Sequence, residues 1–209
     1  MREIDSILII AGAKSAGKIF LRREAKSHDF VLALDGGADT ALKAGILPDM
    51  ALGDLDSISQ EAKKELGPRR LFKISRQDNT DLEKGLSFCK VVKPKRITVT
   101  CMTGGRLDFT LSNFSSLFGA VENFNIEVKS PQWRIYPIES SRRFNAQKGA
   151  VVSLIPFSDI EALTLKGLKY GLKNAQLKVG QSAVSNIAKS KDFSVEFEKG
   201  KLLVMIYNL

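Results

Sequence analysis

The chain has 209 residues, of which 44% are hydrophobic, enough to fill a real core and to exclude intrinsic disorder. Its formal charge is +9, but the surplus is spread thinly, with 20 basic and 17 acidic side chains in residues 1–130 and 12 and 6 in residues 131–209. A solvated lysine-rich surface is the reading that follows, not a nucleic-acid-binding face, and the single histidine (His28) and two distant cysteines (Cys89, Cys101) set aside Ser-His-Asp catalysis and multi-histidine or thiolate zinc sites.

Through residue 130, short apolar runs alternate with helix-like stretches, which predicts an α/β domain with a mainly parallel, Rossmann-like sheet. The chain starts on charged residues, and Ile7–Ile10 is the first predicted strand. Gly12–Lys18 follows it and matches G-x-x-x-x-G-K, but Ile19 stands where a magnesium-binding Ser or Thr belongs, so a glycine-rich loop is the simpler reading. Strands are predicted next at Val31–Leu34, Met50–Leu52, Leu71–Ile74, Ile97–Cys101 and Ile126–Val128, with helices at Ala38–Ala44, Gln60–Leu66, Asp81–Val92 and Leu107–Val121. Apolar spacing near 3.6 supports the last two helices, through Leu82, Leu86 and Cys89 in one and Leu107, Leu111, Phe114, Leu117 and Phe118 in the other. Beyond a boundary near Ser130–Trp133 the texture changes to short β runs: Arg134–Tyr136, Val151–Ile155, Leu163–Leu165, Phe193–Phe197 and Leu202–Ile206. A smaller all-β sandwich over residues 131–209 is expected there. No apolar run approaches the ~20 residues of a membrane span, so a cytoplasmic protein without a membrane partner is expected.

Four segments of the first domain put acids and turn residues just after or beside predicted strands: Asp35–Asp39, Gly53–Ser57, Gln77–Asp81 and Gly104–Asp108. In an open α/β sheet such strand ends share one crevice. Asp54 and Asp56, two residues apart, project to one side of an extended backbone and suit a hard cation such as Mg²⁺; an Asx-turn with local capping is the alternative at this segment. Thr80 and Glu83 fit a capping box, which leaves Asp81 as a further metal ligand. Gly36-Gly37 and Gly104-Gly105 allow close backbone approach to a phosphate, which Arg106 would clamp; ordinary turns with an Arg106–Asp108 surface pair are the other reading.

Taken in order, LDGGAD at 34–39, PDMALGDLDS at 48–57, QDNTDLEKGL at 77–86 and GGRLDFTLSN at 104–113 resemble the thiamine pyrophosphokinase (thiamine diphosphokinase) family. GLKYGLKN at 167–174, Ser185-Asn186 and SVEFEKGKLLV at 194–204 extend the likeness over nearly the whole chain. It departs at Phe109, where the family usually has histidine, and at Gly171, where proline is common. The resemblance implies transfer of a pyrophosphoryl group from Mg²⁺-ATP to thiamine by a homodimer, with an α/β catalytic domain (1–130) and a β-sandwich domain (131–209) for thiamine binding and dimerisation. It implies Asp54, Asp56 and Asp81 on Mg²⁺ and Gly36, Gly37, Asp54, Ser57, Gly105 and Arg106 on ATP. Asp35 and Asp108 would orient ATP or the thiamine hydroxyl, either one accepting its proton, and Gln77, Asp78, Ser185 and Asn186 would line the acceptor side. Competing readings are a kinase or pyrophosphokinase for another small alcohol, a basic nucleic-acid-binding module, and a phosphate site in the Gly12–Lys18 loop.

Overall fold

A computed structural model describes residues 3–13, 16–75 and 78–207. The chain divides into two compact units, Met1–Pro131 and Gln132–Leu209.

In the first unit the strands β1 (Ser6–Ile10), β2 (Phe30–Leu34), β3 (Met50–Gly53), β4 (Leu71–Lys73), β5 (Arg96–Thr100) and β6 (Asn125–Lys129) run in the order β6-β5-β1-β2-β3-β4. Every pairing among them is parallel. β1 is buried along its whole length, as a central strand covered on both faces must be, and its sequence SILII is accordingly apolar without alternation. Helices α1 (Lys18–Lys26), α2 (Gly37–Lys43), α3 (Gln60–Leu66), α4 (Asp81–Val92) and α5 (Leu107–Leu117) fill the crossovers. Phe20 and Leu21 of α1 and Ala41 of α2 pack with Leu8, Ile10 and Val31, while Ala62 and Leu66 of α3 pack with Ala33 and Ala51. Gly85 of α4 lies against Leu32 and Leu34, whose side chains leave β2 on the opposite face from Val31 and Ala33.

Strands β7 (Trp133–Ile138), β8 (Arg142–Asn145), β9 (Val151–Pro156), β10 (Ile160–Lys166), β11 (Leu172–Leu177), β12 (Ala183–Ile187), β13 (Asp192–Glu196) and β14 (Leu202–Tyr207) make up the second unit. They pair antiparallel in the orders β12-β9-β14-β7 and β11-β10-β13-β8. One core joins the two sheets, with Val152, Leu154, Val204 and Ile206 from the first and Leu163, Leu165, Phe193 and Val195 from the second. Phe144 stacks on Phe193 with ring centroids 5.2 Å apart.

Taken over the whole chain, strand pairing is therefore mixed: parallel among β1–β6 and antiparallel among β7, β9, β12 and β14. Helix α5 ends at Leu117, not Val121, because Phe118 caps it and the chain turns through Gly119 and Ala120. Among the described residues five elements lie outside the expected set: α1, β8, β11, β12 and a short 3-10 helix at Pro68–Arg70. Gly200, at φ 133°, lies between β13 and β14, which fall in different sheets. Among the described residues no helix is long and apolar enough to cross a membrane.

Candidate active site

Strand order in the first unit reverses between β1 and β5, and a crevice opens at the carboxyl ends of such strands. A cavity of about 500 Å³ occupies that place. It is bordered by Ala11–Ala13 after β1, Asp35 and Gly36 after β2, Asp54, Asp56 and Ser57 after β3, Thr80 and Asp81 at the start of α4, and Gly105, Arg106 and Phe109 after β5. Gly12 and Ala13 of the Gly12–Lys18 loop thus border the cavity, while Lys14 and Ser15 lie outside the described residues.

The backbone bends sharply at this rim. Asp35, Leu55 and Cys101 all have positive φ (43°, 63° and 57°), and Asp35 follows β2 as Cys101 follows β5. Asp35 is buried and its Oδ1 accepts from the Ser57 N–H at 3.3 Å, tying the β2 and β3 loops together. Gly53 lies between two acids: a Cβ there would stand 3.1 Å from Asp35 Cβ and 3.2 Å from Asp81 Oδ1. Leu55 packs against the Ala33–Ala51 core, so the loop is pinned while the flanking aspartates line the cavity.

Asp54 and Asp56 do not lie on extended backbone. Leu55 is left-handed and the Asp56 N–H donates to Asp54 Oδ1 at 3.1 Å, which is the Asx-turn alternative realised. Among the described residues no three His, Cys, Asp or Glu side chains converge as a ready metal cage, so Asp54, Asp56 and Asp81 line one cavity without being preassembled around an ion. The acids still fit Mg²⁺, which takes one or two carboxylates plus phosphate oxygens and water instead of an all-protein cage. Burial pushes the Asp81 carboxyl above its ordinary value; Lys84 pulls it back, and the neighbouring carboxylates of Asp35 and Asp54 push it up again. Such mutual repulsion is what a cation relieves.

Asp81 owes its position to the start of α4. Thr80 Oγ1 accepts from the Glu83 N–H and Glu83 Oε2 accepts from the Thr80 N–H at 2.7 Å, completing the predicted capping box. One residue the sequence reading passed over stands behind it: Lys84 Nζ donates to Asp81 Oδ1 at 2.9 Å. Its three-residue spacing from Asp81 on a helix allows an ion pair but gives no sign of the burial.

Arg106 and Asp108 form the surface pair, with Arg106 Nε 3.1 Å from Asp108 Oδ1, and the guanidinium holds the exposed Asp108 carboxyl below its ordinary value. Arg106 also lies over the Phe109 ring, 4.5 Å from its centroid, so the residue that departs from the family pattern supplies a cation–π partner at the cavity wall. Asp108 itself does not line the cavity, and neither do Asp78 and Gly37. Gly37 is a packing residue, since a Cβ there would meet the Ile10 carbonyl oxygen at 2.1 Å, whereas one on Gly36 would meet Ser57 Cβ at an ordinary 3.6 Å. Asp39 also turns away, accepting from the Ser59 N–H at 3.0 Å and so fixing the start of α3. Gln77 lies outside the described residues.

Ser185 and Asn186 belong to β12 of the second unit. Ser185 is exposed, at φ 59°. Asn186 is buried: its Oδ1 accepts from the Tyr170 N–H at 2.9 Å and its Nδ2 donates to the Tyr170 carbonyl at 2.7 Å, so it fixes the GLKYGLKN turn.

Comparison with known proteins bears on both units. Residues 21–129 match the thiamin pyrophosphokinase catalytic domain and residues 137–202 the thiamin pyrophosphokinase vitamin B1 binding domain. A thiamine pyrophosphokinase of Bacillus subtilis (strain 168) is 31% identical over 97% of this chain and 98% of its own. The chain belongs to the thiamin pyrophosphokinase family. It is therefore an enzyme, a pyrophosphoryl transferase, and the nucleic-acid-binding module is not favoured. Solved structures within the family agree in fold. The B. subtilis enzyme superposes with a TM-score of 0.86 at 28% identity, covering 97% of this chain and 99% of that one. The Geobacillus thermodenitrificans enzyme gives 0.84 at 25% identity, with 98% of each chain covered.

Proposed function

We propose that the first-unit cavity binds ATP with Mg²⁺ and directs its β-phosphorus toward the hydroxyl of thiamine, giving thiamine diphosphate and AMP. The observation that carries this reading is the convergence of Asp35, Gly36, Asp54, Asp56, Ser57, Asp81, Gly105 and Arg106 on one cavity from four separate loops. The protein's work in such a transfer is positioning and charge neutralisation. Gly36 and Gly105 let the backbone approach the phosphates, and Arg106, steadied by Phe109, presents paired N–H donors to their oxygens. Asp54, Asp56 and Asp81, which line the cavity together, would hold Mg²⁺. When bound, the ion offsets charge on the phosphates. Asp35 is favoured over Asp108 for orienting the hydroxyl and accepting its proton, because Asp35 is buried at the cavity and Asp108 lies on its outer side paired to Arg106.

The remaining roles belong to the same reading. Gln77, Asp78 and Ser185 serve the acceptor, and Asn186 serves it through the turn it holds. The first unit is the Rossmann-like nucleotide domain and the second the thiamine-binding and dimerisation domain, in a cytoplasmic homodimer. The first unit would contribute to that dimer as well, through α5, whose apolar residues Leu107 and Leu111 are 70% and 59% exposed although their spacing is that of a buried face.

Incubation with Mg²⁺, ATP and thiamine tests the reading directly: AMP and thiamine diphosphate should appear in equal amounts. ADP as the product, or consumption only of another alcohol, defeats it. Asp54→Asn should abolish turnover in a folded protein.

A further inference from the structure

The acidic cavity already has a cation of its own. Lys84 sits on the first turns of α4 with its side chain 6% exposed, and its Nζ lies 2.9 Å from Asp81 Oδ1. Asp81 is 32% exposed and lines the cavity, whereas Lys84 does not line it, so the ammonium meets the carboxylate from behind the wall. Lysine is almost never buried this deeply unless paired, because removing an ammonium from water is costly. Here the partner, Asp81, is the first residue of a helix whose start is fixed by the capping box of Thr80 and Glu83. Asp35 and Asp54 stand near enough to act on Asp81, and Lys84 is the positive charge that opposes them there. That charge is tethered and cannot leave when a ligand arrives.

We propose that Lys84 is the resident counter-ion of this site: its buried ammonium holds Asp81 from behind, so that the nucleotide-free protein collects divalent cation poorly and the metal enters already bound to the triphosphate. This inference rests on the assignment of the cavity to Mg²⁺-ATP. Two features of the site agree with it. Among the described residues no three acids are gathered as a metal cage, and Asp54 is turned back onto the Asp56 N–H. Mg²⁺ sheds water reluctantly and draws its remaining ligands from phosphates, so a site with one carboxylate held by lysine suits a metal–nucleotide complex better than a bare ion. Lys84 is a positioning residue; it lies outside the cavity and touches the reaction through Asp81.

Manganese titration followed by electron paramagnetic resonance reads this without turnover. Nucleotide-free wild-type protein should bind Mn²⁺ weakly, and a non-hydrolysable ATP analogue should bring tight binding. Lys84→Met should bind Mn²⁺ without nucleotide on the order of tenfold more tightly than wild type, near the lower end of the range for one lost charge–charge contact between bulk water and a protein surface. Lys84→Arg, which keeps the cation, should match wild type. The proposal is overturned if wild type binds Mn²⁺ as tightly without nucleotide as with it, or if folded Lys84→Met is unchanged or weaker. Should Lys84→Met fail to fold, the paired wild-type titrations decide alone. Absence of AMP in the thiamine assay would instead remove the pyrophosphokinase reading, a result the manganese titration cannot mimic.

Discussion

Replacing Gly37 by alanine sets two known effects against each other. Alanine is the better helix former, worth up to ~1 kcal/mol in a helix interior and less at the first turn where Gly37 sits. Against this, the new Cβ would lie 2.1 Å from the Ile10 carbonyl oxygen and 2.9 Å from its carbon, so α2 must withdraw from β1 by about 0.9 Å to restore a 3.0 Å separation. Both partners are backbone and neither can rotate away, which places the cost at the upper end of the ~1–3 kcal/mol typical of overpacking. The net expectation is a loss of about 2 kcal/mol, roughly thirtyfold in the folding equilibrium. Urea denaturation followed by far-ultraviolet circular dichroism measures it. Gly36→Ala is the control: its Cβ finds ordinary space, so its stability should stay within about 0.5 kcal/mol of wild type. Its KM for ATP should nevertheless rise, because the methyl faces the cavity. A Gly37→Ala protein as stable as wild type would refute the assignment of Gly37 to packing and Gly36 to ligand approach.

Three further expectations follow from burial. His28 is held below its ordinary value of 6.5 by burial, despite its Nδ1–H donating to the Glu24 carbonyl, and with Arg96 and Lys129 adding to the depression. A depressed histidine stabilises the fold above its unfolded value, and that stability is lost as pH falls below about 6.5. The chain has no other histidine, so His28→Gln should flatten the stability profile between pH 7.5 and 5.5, and an unchanged slope in denaturation midpoints counts against the argument. Leu111→Glu should keep the far-ultraviolet circular dichroism of the folded protein yet shift sedimentation from dimer to monomer; a variant that stays dimeric removes α5 from the interface. Burial pushes the Cys89 thiol up to about 12, and Cys101 is raised as well, so a thiol-specific chromophore should react with both only as fast as the protein unfolds.

Most of the first unit was legible because its central strands β1, β2, β3 and β5 are buried on both faces and stand between turn residues. Helix α1 escaped because KIFLRREAK buries only Phe20, Leu21 and Glu24, and a charged residue within the buried set defeats an apolar-spacing search. β11 and β12 escaped for a related reason: LKNAQL and AVSNI are largely exposed, and their pairings carry register shifts that spoil alternation. At the site, the segments that converge were readable from their order, but the division of labour inside each was not. Gly36 from Gly37, and Arg106 from Asp108, separate only once backbone contacts and side-chain direction are known. Lys84 was hidden in plain view, since a lysine three residues after an aspartate usually belongs to a solvated helix face.

The left-handed conformations of Asp35, Leu55 and Cys101 bear on how this protein would respond to selection for heat resistance. Each non-glycine residue in that region costs ~1–3 kcal/mol, and glycine or asparagine would relieve part of it. A thermostability screen should therefore enrich such changes at these three positions. The same changes would slacken the edge on which the aspartates are mounted, so heat tolerance and turnover number should move in opposite directions across the recovered clones.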